Sequence, residues 1–501
     1  MMSLSLALRN LLRNRRRSIA TLLALALGVA SLLMFGGYSA DIRYGMLTGY
    51  VHSGGHLQVQ HRDFFLYGNG NPTAYAIRDY ERILAAIRAD EVLAKMVTVA
   101  TPTLLFGGIA GNYGAGVSRT VIGTGLVASD VSRMREWNEF GIPQAPQRFA
   151  LEGAPADAAI VGVGVARVLL LCEPLGIPNC PRPETEPKST GPALPADIAA
   201  LAMDEQTGPT KPPSVKPAGG KQRGGKSASP KPAAPAPVDV APVDPAPVAA
   251  APKARIELLA GHGRGSPNVA ALSVLAAEDQ GLKELDEVTV IVHLKQAQQL
   301  VFGRAAPRAT SIMVQLQHTD QMRLAIERLK ALLAKVAPDQ TLSVLDFETL
   351  NPFYTQTLGL FDTIFGFIFV LIGGIVLFTV SNTMNAAVVE RTTEIGTLRS
   401  VGLRQSGIRR LFVTEGFLLG GGGAVVGVLS ALVISFIVNR SGLTWLPPGG
   451  SEHLPLTVRV WGETRMIVGT TIGLVLIGAL SAWWPAYRAA RLKIVDALRH
   501  A

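Results

Sequence analysis

The sequence predicts an α-helical membrane protein with four transmembrane helices and a large α+β domain between helices 1 and 2. Three observations carry this reading. Four apolar runs come close to the ~20 residues that a helix needs to cross a bilayer. Of the 501 residues 48% are hydrophobic and the mean hydropathy is +0.29, too apolar for an ordinary soluble chain and too polar for one made only of spans. The arginines gather at one end of the runs, and the long segment after the first run mixes strand-like alternation with helical spacing.

The N-terminus, 1–17, holds Arg9, Arg13, Arg15, Arg16 and Arg17 and no acid. Transmembrane helix 1 is expected over 18–40. Its apolar run exceeds that of a signal peptide and no small-x-small cleavage site follows, so it reads as an uncleaved anchor. Helix 2 is expected over 356–385, helix 3 over 411–438 and helix 4 over 464–484. The connector 386–410 carries Arg391, Arg399, Arg404, Arg409 and Arg410. The tail 485–501 carries Arg488, Arg491, Lys493 and Arg499, whereas 439–463 and its edge hold only Arg440, Arg459 and Arg465. Lys and Arg accumulate on the inner side of membranes, which puts both termini in the cytoplasm and residues 41–355 outside. The net charge of +10 then reflects topology, and no nucleic-acid partner is expected, because the basic clusters abut apolar spans.

The exported segment divides into 41–180, 181–253 and 254–355. The middle part holds 17 of the 32 prolines and no aromatic residue. It cannot bury enough apolar surface to offset its ordering entropy, so a Pro/Ala-rich disordered insertion is expected. In the flanking parts "GGHLQVQH", "DEVTVIVHL" and "ATSIMVQLQ" read as strands. "AIRDYERILAAIRAD" and "TDQMRLAIERLKALLAKV" read as amphipathic helices. The mixture suits an α+β domain rather than a doubly wound sheet.

Several motifs invite a chemical role. "GKQRGGKS", Gly220–Ser227, fits the phosphate-loop pattern but has no buried strand before it and no helix after it, so it reads as a chance match in a Gly/Lys-rich tract. His52, His56 and His61 could suggest a metal, but in a strand His56 and His61 would face opposite sides, and hydrogen-bonded or solvated histidines are the better reading. No metal site and no catalytic residues are expected, since no H-E-x-x-H, G-x-S-x-G or Cys/His cluster occurs. Cys172 and Cys180 form either a short-loop disulfide or two free thiols. Asp362, about one turn into helix 2, reads as a snorkelling carboxylate. Gly423/Gly427 and Gly469/Gly473 have the small-xxx-small spacing of close helix contacts.

The connector is unusual. The helical pattern of helix 2 runs on through "NAAVVERTTEIGTLRSVG", 385–402. Ile395 and Leu398 share a face, Arg391 and Glu394 stand one turn apart and can pair, and Gly402 is a natural terminator. A short stiff helix with an apolar tip and mixed charges suits a groove on a cytosolic partner.

The stretch "ERTTEIGTLRSVGLRQSGIRRLFVTEG" resembles the signature of the FtsX/MacB-type permeases of ABC transporters. Glu390, Arg391, Glu394, Ile395, Gly396, Leu398, Arg399, Gly402, Glu415 and Gly416 carry the likeness. The ending "WPAYRAARLKIVDALR" is similar to that family's tail through Pro485, Ala486, Arg488, Ala489, Ala490, Arg491, Ala497 and Leu498, with Ile494-Val495 where a proline is usual. "SGGHLQVQ", "AAIVGVGVARVLLL" and "ELDEVTVIVHLKQAQQLVFG" are most similar to the lipoprotein-releasing (LolC/LolE-like) branch. The resemblance implies a multi-pass permease of the bacterial inner membrane whose exported domain is periplasmic and MacB-like. It implies a dimer with a second copy or a paralogue, and a separate cytosolic ABC ATPase docked on Glu390, Arg391, Glu394, Ile395, Gly396, Leu398, Arg399 and Gly402. ATP and Mg would sit in that ATPase, with no cofactor in this chain. The cargo implied first is lipoprotein or lipid. The alternatives are drug or peptide efflux, or regulation of cell-wall hydrolases without transport. Membrane lipids and a periplasmic adaptor or lipoprotein acceptor complete the implied partners.

The orientation is testable in a background lacking Cys172 and Cys180. A cysteine placed within 200–230 is expected to react with a membrane-impermeant thiol reagent in intact spheroplasts, and one placed at Arg404 to stay protected. The reverse pattern would invert the topology.

Overall fold

The computed structural model describes residues 15–68, 70–142, 148–177, 254–261, 267–446 and 454–492, with Ala7, Arg9 and Arg13 ahead of them. Its main helices are α1 (Arg15–Gly54), α2 (Tyr80–Ala89), α3 (Ala128–Arg135), α4 (Leu294–Phe302), α5 (Met322–Val336), α6 (Pro352–Glu390), α7 (Thr392–Ser400), α8 (Gln405–Arg440) and α9 (Thr464–Ala490). The strands that matter below are β1 (Leu57–His61), β2 (Val97–Asn112), β3 (Val117–Leu126), β4 (Ala158–Gly162), β5 (Arg255–Ala260), β6 (Asn268–Glu278), β7 (Thr289–His293), β8 (Ser311–Leu316) and β9 (Leu342–Asp346). The chain forms two compact units: residues 1–171 with 254–501, and residues 172–253.

Among the described residues four helices, α1, α6, α8 and α9, are long and apolar enough to cross a membrane. Large apolar side chains such as Phe367, Val370, Phe378 and Trp484 point outward from the bundle, as lipid-facing residues do. Helix 1 is expected from the sequence to stop at 40 and helix 2 to begin at 356, but both elements run further. α1 has 40 residues and α6 has 39, each ~60 Å of helix at 1.5 Å per residue, about twice the hydrocarbon thickness. Residues 41–54 hold no proline, and Leu47 and Val51 find apolar partners in Trp137, Phe347 and Tyr354. The helix stops at Gly54–Gly55, where Gly55 takes φ +72 and a Cβ would lie 2.8 Å from the Val314 carbonyl oxygen. α6 starts with Pro352 at its first turn, where a missing N–H costs nothing.

The domain between α1 and α6 is built on β2, a 16-residue strand with two sets of partners. Its first half, through Thr103, pairs with β8, and β8, β1 and β9 continue the antiparallel sheet outward. Its second half pairs with β3 and β5, and the ladder β3-β7-β4-β6-β5 returns to β2, closing a ring of six strands. α2 and α5 cover the open sheet through Ile83, Ile87, Ala325 and Leu329, packed on Leu57, Ile312 and Val314. The sequence-predicted strands fall on β1, β7 and β8, and the two amphipathic helices on α2 and α5.

In the second unit, residues 172–177 are described. Cys172–Leu175 makes one helical turn, closed by the Ile177 N–H donating to the Cys172 carbonyl at 3.0 Å. Cys172 is held in a disulfide. Cys180, the insertion 181–253 and Gly220–Ser227 lie outside the described residues.

The three histidines take separate hydrogen bonds. His56 is fully buried, accepts from the Leu316 N–H at 3.0 Å and stands edge-on to Trp137. His52 binds the Trp137 carbonyl at 2.6 Å, and His61 accepts from the Asp63 N–H at 3.2 Å. Burial drives the His56 imidazole down to about 4, because a charged ring there loses its hydration. The unfolded chain therefore takes up this proton near pH 6.5 and the folded chain only near pH 4, so stability holds above pH 6.5 and is lost as pH falls toward 4. Thermal unfolding of the purified protein is expected to show this loss, on the order of 3 kcal/mol at full protonation. In His56→Gln the slope between pH 6.5 and 4 should flatten, and an unchanged slope would assign it to other groups.

Candidate coupling site at the base of the helix bundle

The end of the bundle opposite the domain gathers the predicted connector residues. α6 ends at Glu390, and Arg391 leaves helical geometry at φ −109 and ψ 19 before α7 begins. The unbroken helix expected over 385–402 is thus interrupted for one residue, although the Arg391 N–H still reaches the Ala387 carbonyl at 3.2 Å. α7 ends in a Schellman cap. Gly402 adopts φ +103, its N–H donates to the Arg399 carbonyl, and the Leu403 N–H donates to the Leu398 carbonyl.

The expected Arg391–Glu394 pair is absent, and both residues are engaged elsewhere. Arg391 turns inward and donates from Nη1 to Glu415 Oε1 of α8 at 2.9 Å, with the side chains 8% and 2% exposed. Glu394 instead accepts from Arg13, and Glu390 accepts from Arg17 at 2.7 Å. One turn further along, Thr21 and Thr383 share a hydrogen bond of 2.9 Å. The N-terminal part of α1 is therefore laced to the α6–α7 junction. Arg399 donates to the Leu492 carbonyl just past the end of α9, where a cation also suits the helix dipole.

Ile395 also departs from its expected role. Ile395 and Gly396 are buried, Ile395 within the apolar core that includes Ile408, Phe412 and Ala486, so Ile395 fastens α7 to the bundle instead of facing a partner. The apolar surface at this end includes Val401 (84% exposed), Val389 (75%) and Leu398 (37%). Sequence reading named only Leu398 of these three.

The glycines sort by what a Cβ would meet. At Gly423 it would lie 2.5 Å from the Leu25 Cβ, at Gly427 2.5 Å from the Val29 Cβ, and at Gly473 2.8 Å from the Phe369 ring. Gly469 has nothing within 4 Å, so Gly469/Gly473 is not a paired contact within this chain. The closest crossing of α8 and α9 uses Gly416, Gly420 and Gly478, with Ala482 2.5 Å from a Cβ at Gly416. Small residues in register on both helices were the available signal.

A second clasp sits at the opposite end of the bundle and was not anticipated. Arg459, in the α8–α9 loop, donates to Asp41 at 3.3 Å and also to the Phe140 and Gly141 carbonyls. Tyr44 donates to Glu463 at 2.9 Å and stacks on Phe140 at 4.4 Å. Asp362 is not simply solvated, since Arg43 lies 3.2 Å away. Among the described residues no group of three or more His, Cys, Asp or Glu is placed to hold a metal ion.

The buried pair sets a stability prediction. Glu415→Leu removes a charged hydrogen-bond partner from the nearly buried Arg391 guanidinium and is expected to cost about 2 kcal/mol in thermal unfolding, whereas Arg391→Met/Glu415→Leu should recover part of it. A single variant as stable as the parent would mean that this pair contributes nothing to folding.

Comparison with known proteins agrees with this layout. Residues 363–494 match the FtsX-like permease C-terminal model, and residues 18–178 match the MacB-like periplasmic core domain model. An uncharacterized ABC transporter permease of Methanocaldococcus jannaschii is 30% identical over 222 residues, 43% of this chain and 51% of that protein. The macrolide export ATP-binding/permease protein MacB of Nitrobacter winogradskyi is 28% identical over 238 residues, 46% of this chain and 34% of that protein. The ABC transporter permease YtrF of Bacillus subtilis is 32% identical over 139 residues, 27% of this chain and 30% of that protein. The chain thus spans about half or less of the length of these curated relatives. With a MacB-like core domain strung between α1 and α6 and an FtsX-like module across the last three spans, the chain belongs to the FtsX/MacB-type family of ABC transporter permeases.

Proposed function

We propose that this chain couples ATP hydrolysis in a separate cytosolic ABC ATPase to movement of its outer domain, as one half of a permease dimer in the inner membrane, with both termini in the cytoplasm. The observation that carries the reading is α7. It is a nine-residue helix fixed from behind by Ile395, Arg391–Glu415 and Arg399–Leu492, with Leu398 outward on it and the exposed Val389, at the end of α6, and Val401, just past its own end, on either side. Apolar side chains that exposed, next to the paired charges of Glu390 and Glu394, suit a groove on a protein partner. ATP and Mg belong to that partner in this reading.

For cargo we propose lipoprotein or lipid-like molecules taken from the outer leaflet, on the likeness of the domain stretches around Gly54–Gln60, Ala158–Leu171 and Glu284–Gly303 to lipoprotein-releasing permeases. A second reading, export of a drug or peptide, draws support from the similarity to proteins named for macrolide export. Pairing of Cys172 with Cys180 is proposed as a local staple of the outer domain.

The test separates docking from folding. Val401→Asp and Leu398→Asp change exposed positions and are expected to reach the membrane with the parent's melting temperature. Each should lose co-purification with the ATPase, or permease-stimulated hydrolysis, by about tenfold or more, since truncated anchors often cost ~2 kcal/mol. Glu394→Lys should act in the same direction while also breaking the pair with Arg13. Full binding and stimulation in all three would remove α7 as the coupling element.

A further inference from the structure

The outer domain contains a cavity that the coupling reading does not use. It has a volume of about 1410 Å³ and lies between the outer end of α1, Met46–Ser53, and the wall of the six-stranded ring. That exceeds the several hundred Å³ usual for a small-molecule site. Its apolar lining includes Leu126, Val131, Trp137, Phe149, Ile291 and Met313, drawn from strands, α3 and the loop behind it. Hydroxyls interrupt this lining at Thr103, Thr124, Thr289 and Thr310. The Thr310 hydroxyl is satisfied, accepting from the Leu105 N–H and donating to the Thr103 carbonyl. The Thr103 hydroxyl has no partner, although the residue is only 8% exposed. A buried hydroxyl without a partner is unfavourable, and an occupant bearing a polar atom relieves it.

Charge decides the class of occupant. Three carboxylates and one guanidinium line the cavity: Glu136, Glu278, Asp279 and Arg135. Arg135 is neutralised by Glu278 at 3.1 Å and rests over the Phe149 ring at 4.8 Å. Asp279 accepts only a backbone bond, from the Gly281 N–H at 2.7 Å, and Glu136 is exposed. The excess at the rim is therefore negative above an apolar interior. We propose that this cavity is a binding site for cationic amphiphiles, holding an apolar body against Trp137, Phe149 and Met313 and a protonated amine at Glu136 and Asp279. The site goes beyond the coupling reading and does not rest on it. Because Met46–Ser53 belong to α1, an occupant also touches the helix that leads into the membrane.

The test uses the full chain purified in a non-ionic detergent, with neither ATP nor an ATPase present, so its failure and that of the coupling reading are separate. A dansyl-labelled dodecylammonium probe is titrated while energy transfer from tryptophan is followed, with Trp137→Phe identifying the donor. A dansyl-labelled dodecanoate serves as the anionic counterpart. Saturable transfer is expected for the cation. It should weaken roughly three- to tenfold in Glu136→Gln/Asp279→Asn, which keeps the Arg135–Glu278 pair, and weaken also in Thr124→Trp, whose indole intrudes on the apolar lining. Melting temperatures report whether each variant folds, and the rim variant alone decides the matter if Thr124→Trp does not. Equal affinity for the anion, or transfer that neither variant alters, would overturn the proposal as simple partitioning into the micelle.

Discussion

An ion pair almost sealed from water, Arg391 with Glu415, is the constraint on which the lower half of this molecule depends. Neither charge tolerates separation in such surroundings, where an unpaired ion costs several kcal/mol. Sliding α7 past α8 by one turn would open this pair. The pair therefore favours a single register of α7 on α8. Ile395 adds apolar burial to the same joint, and Arg399 ties its far side to the end of α9. α7 is thereby fixed both to α8 and to the end of α9.

The upper half obeys a related rule with different chemistry. α1 and α6 leave the bundle without a break and carry the domain on their outer ends, where Leu47, Val51, Phe347 and Tyr354 form one apolar cluster with Trp137. The clasp at Arg459 joins the α8–α9 loop to Asp41 on α1 and to the Phe140 and Gly141 carbonyls of the domain. This clasp is partly exposed, and its charges can exchange with water at little cost. The contrast is physical. The buried pair at one end favours a single register, and the wetter pair at the other permits adjustment.

Much of this was legible in the sequence, and the illegible parts share a cause. Apolar run length and arginine placement located the four long helices, because crossing a membrane and orienting within it depend on local composition. Strand alternation found β1, β7 and β8. It could not show that β2 divides its pairing between β8 and β5, since those partners lie more than 100 residues away and period-two alternation is silent about them. The same limit explains the connector. Arg391 and Glu394 have the spacing of a helical pair, but Glu415, 24 residues on, offers Arg391 a far more buried partner. Ile395 reads as a docking residue because apolar residues on a polar helix look alike whether they face inward or outward. Glu415, the single acid of α8 at the edge of its apolar run, was the clue, since such a residue demands a cation.

Helix length joins the two halves into one device. A 40-residue α-helix is ~60 Å long and has no internal joint, so a tilt at its base is expressed as a displacement at its tip. α1 is tethered at its base by Arg13–Glu394, Arg17–Glu390 and Thr21–Thr383, and held at mid-height by α8 backbone packed on Leu25 and Val29 at Gly423 and Gly427. Close glycine contacts of this kind act as a fulcrum, because backbone against side chain leaves no slack to absorb the motion. Beyond the fulcrum, the chain turns at Gly54–Gly55 against the Val314 carbonyl of β8, where any side chain would collide. The tip of α1 therefore bears on β8, and through β8 on β2, the strand shared by the open sheet and the closed ring. α1 thus links the α6–α7 junction at its base to the strand that belongs to both parts of the domain.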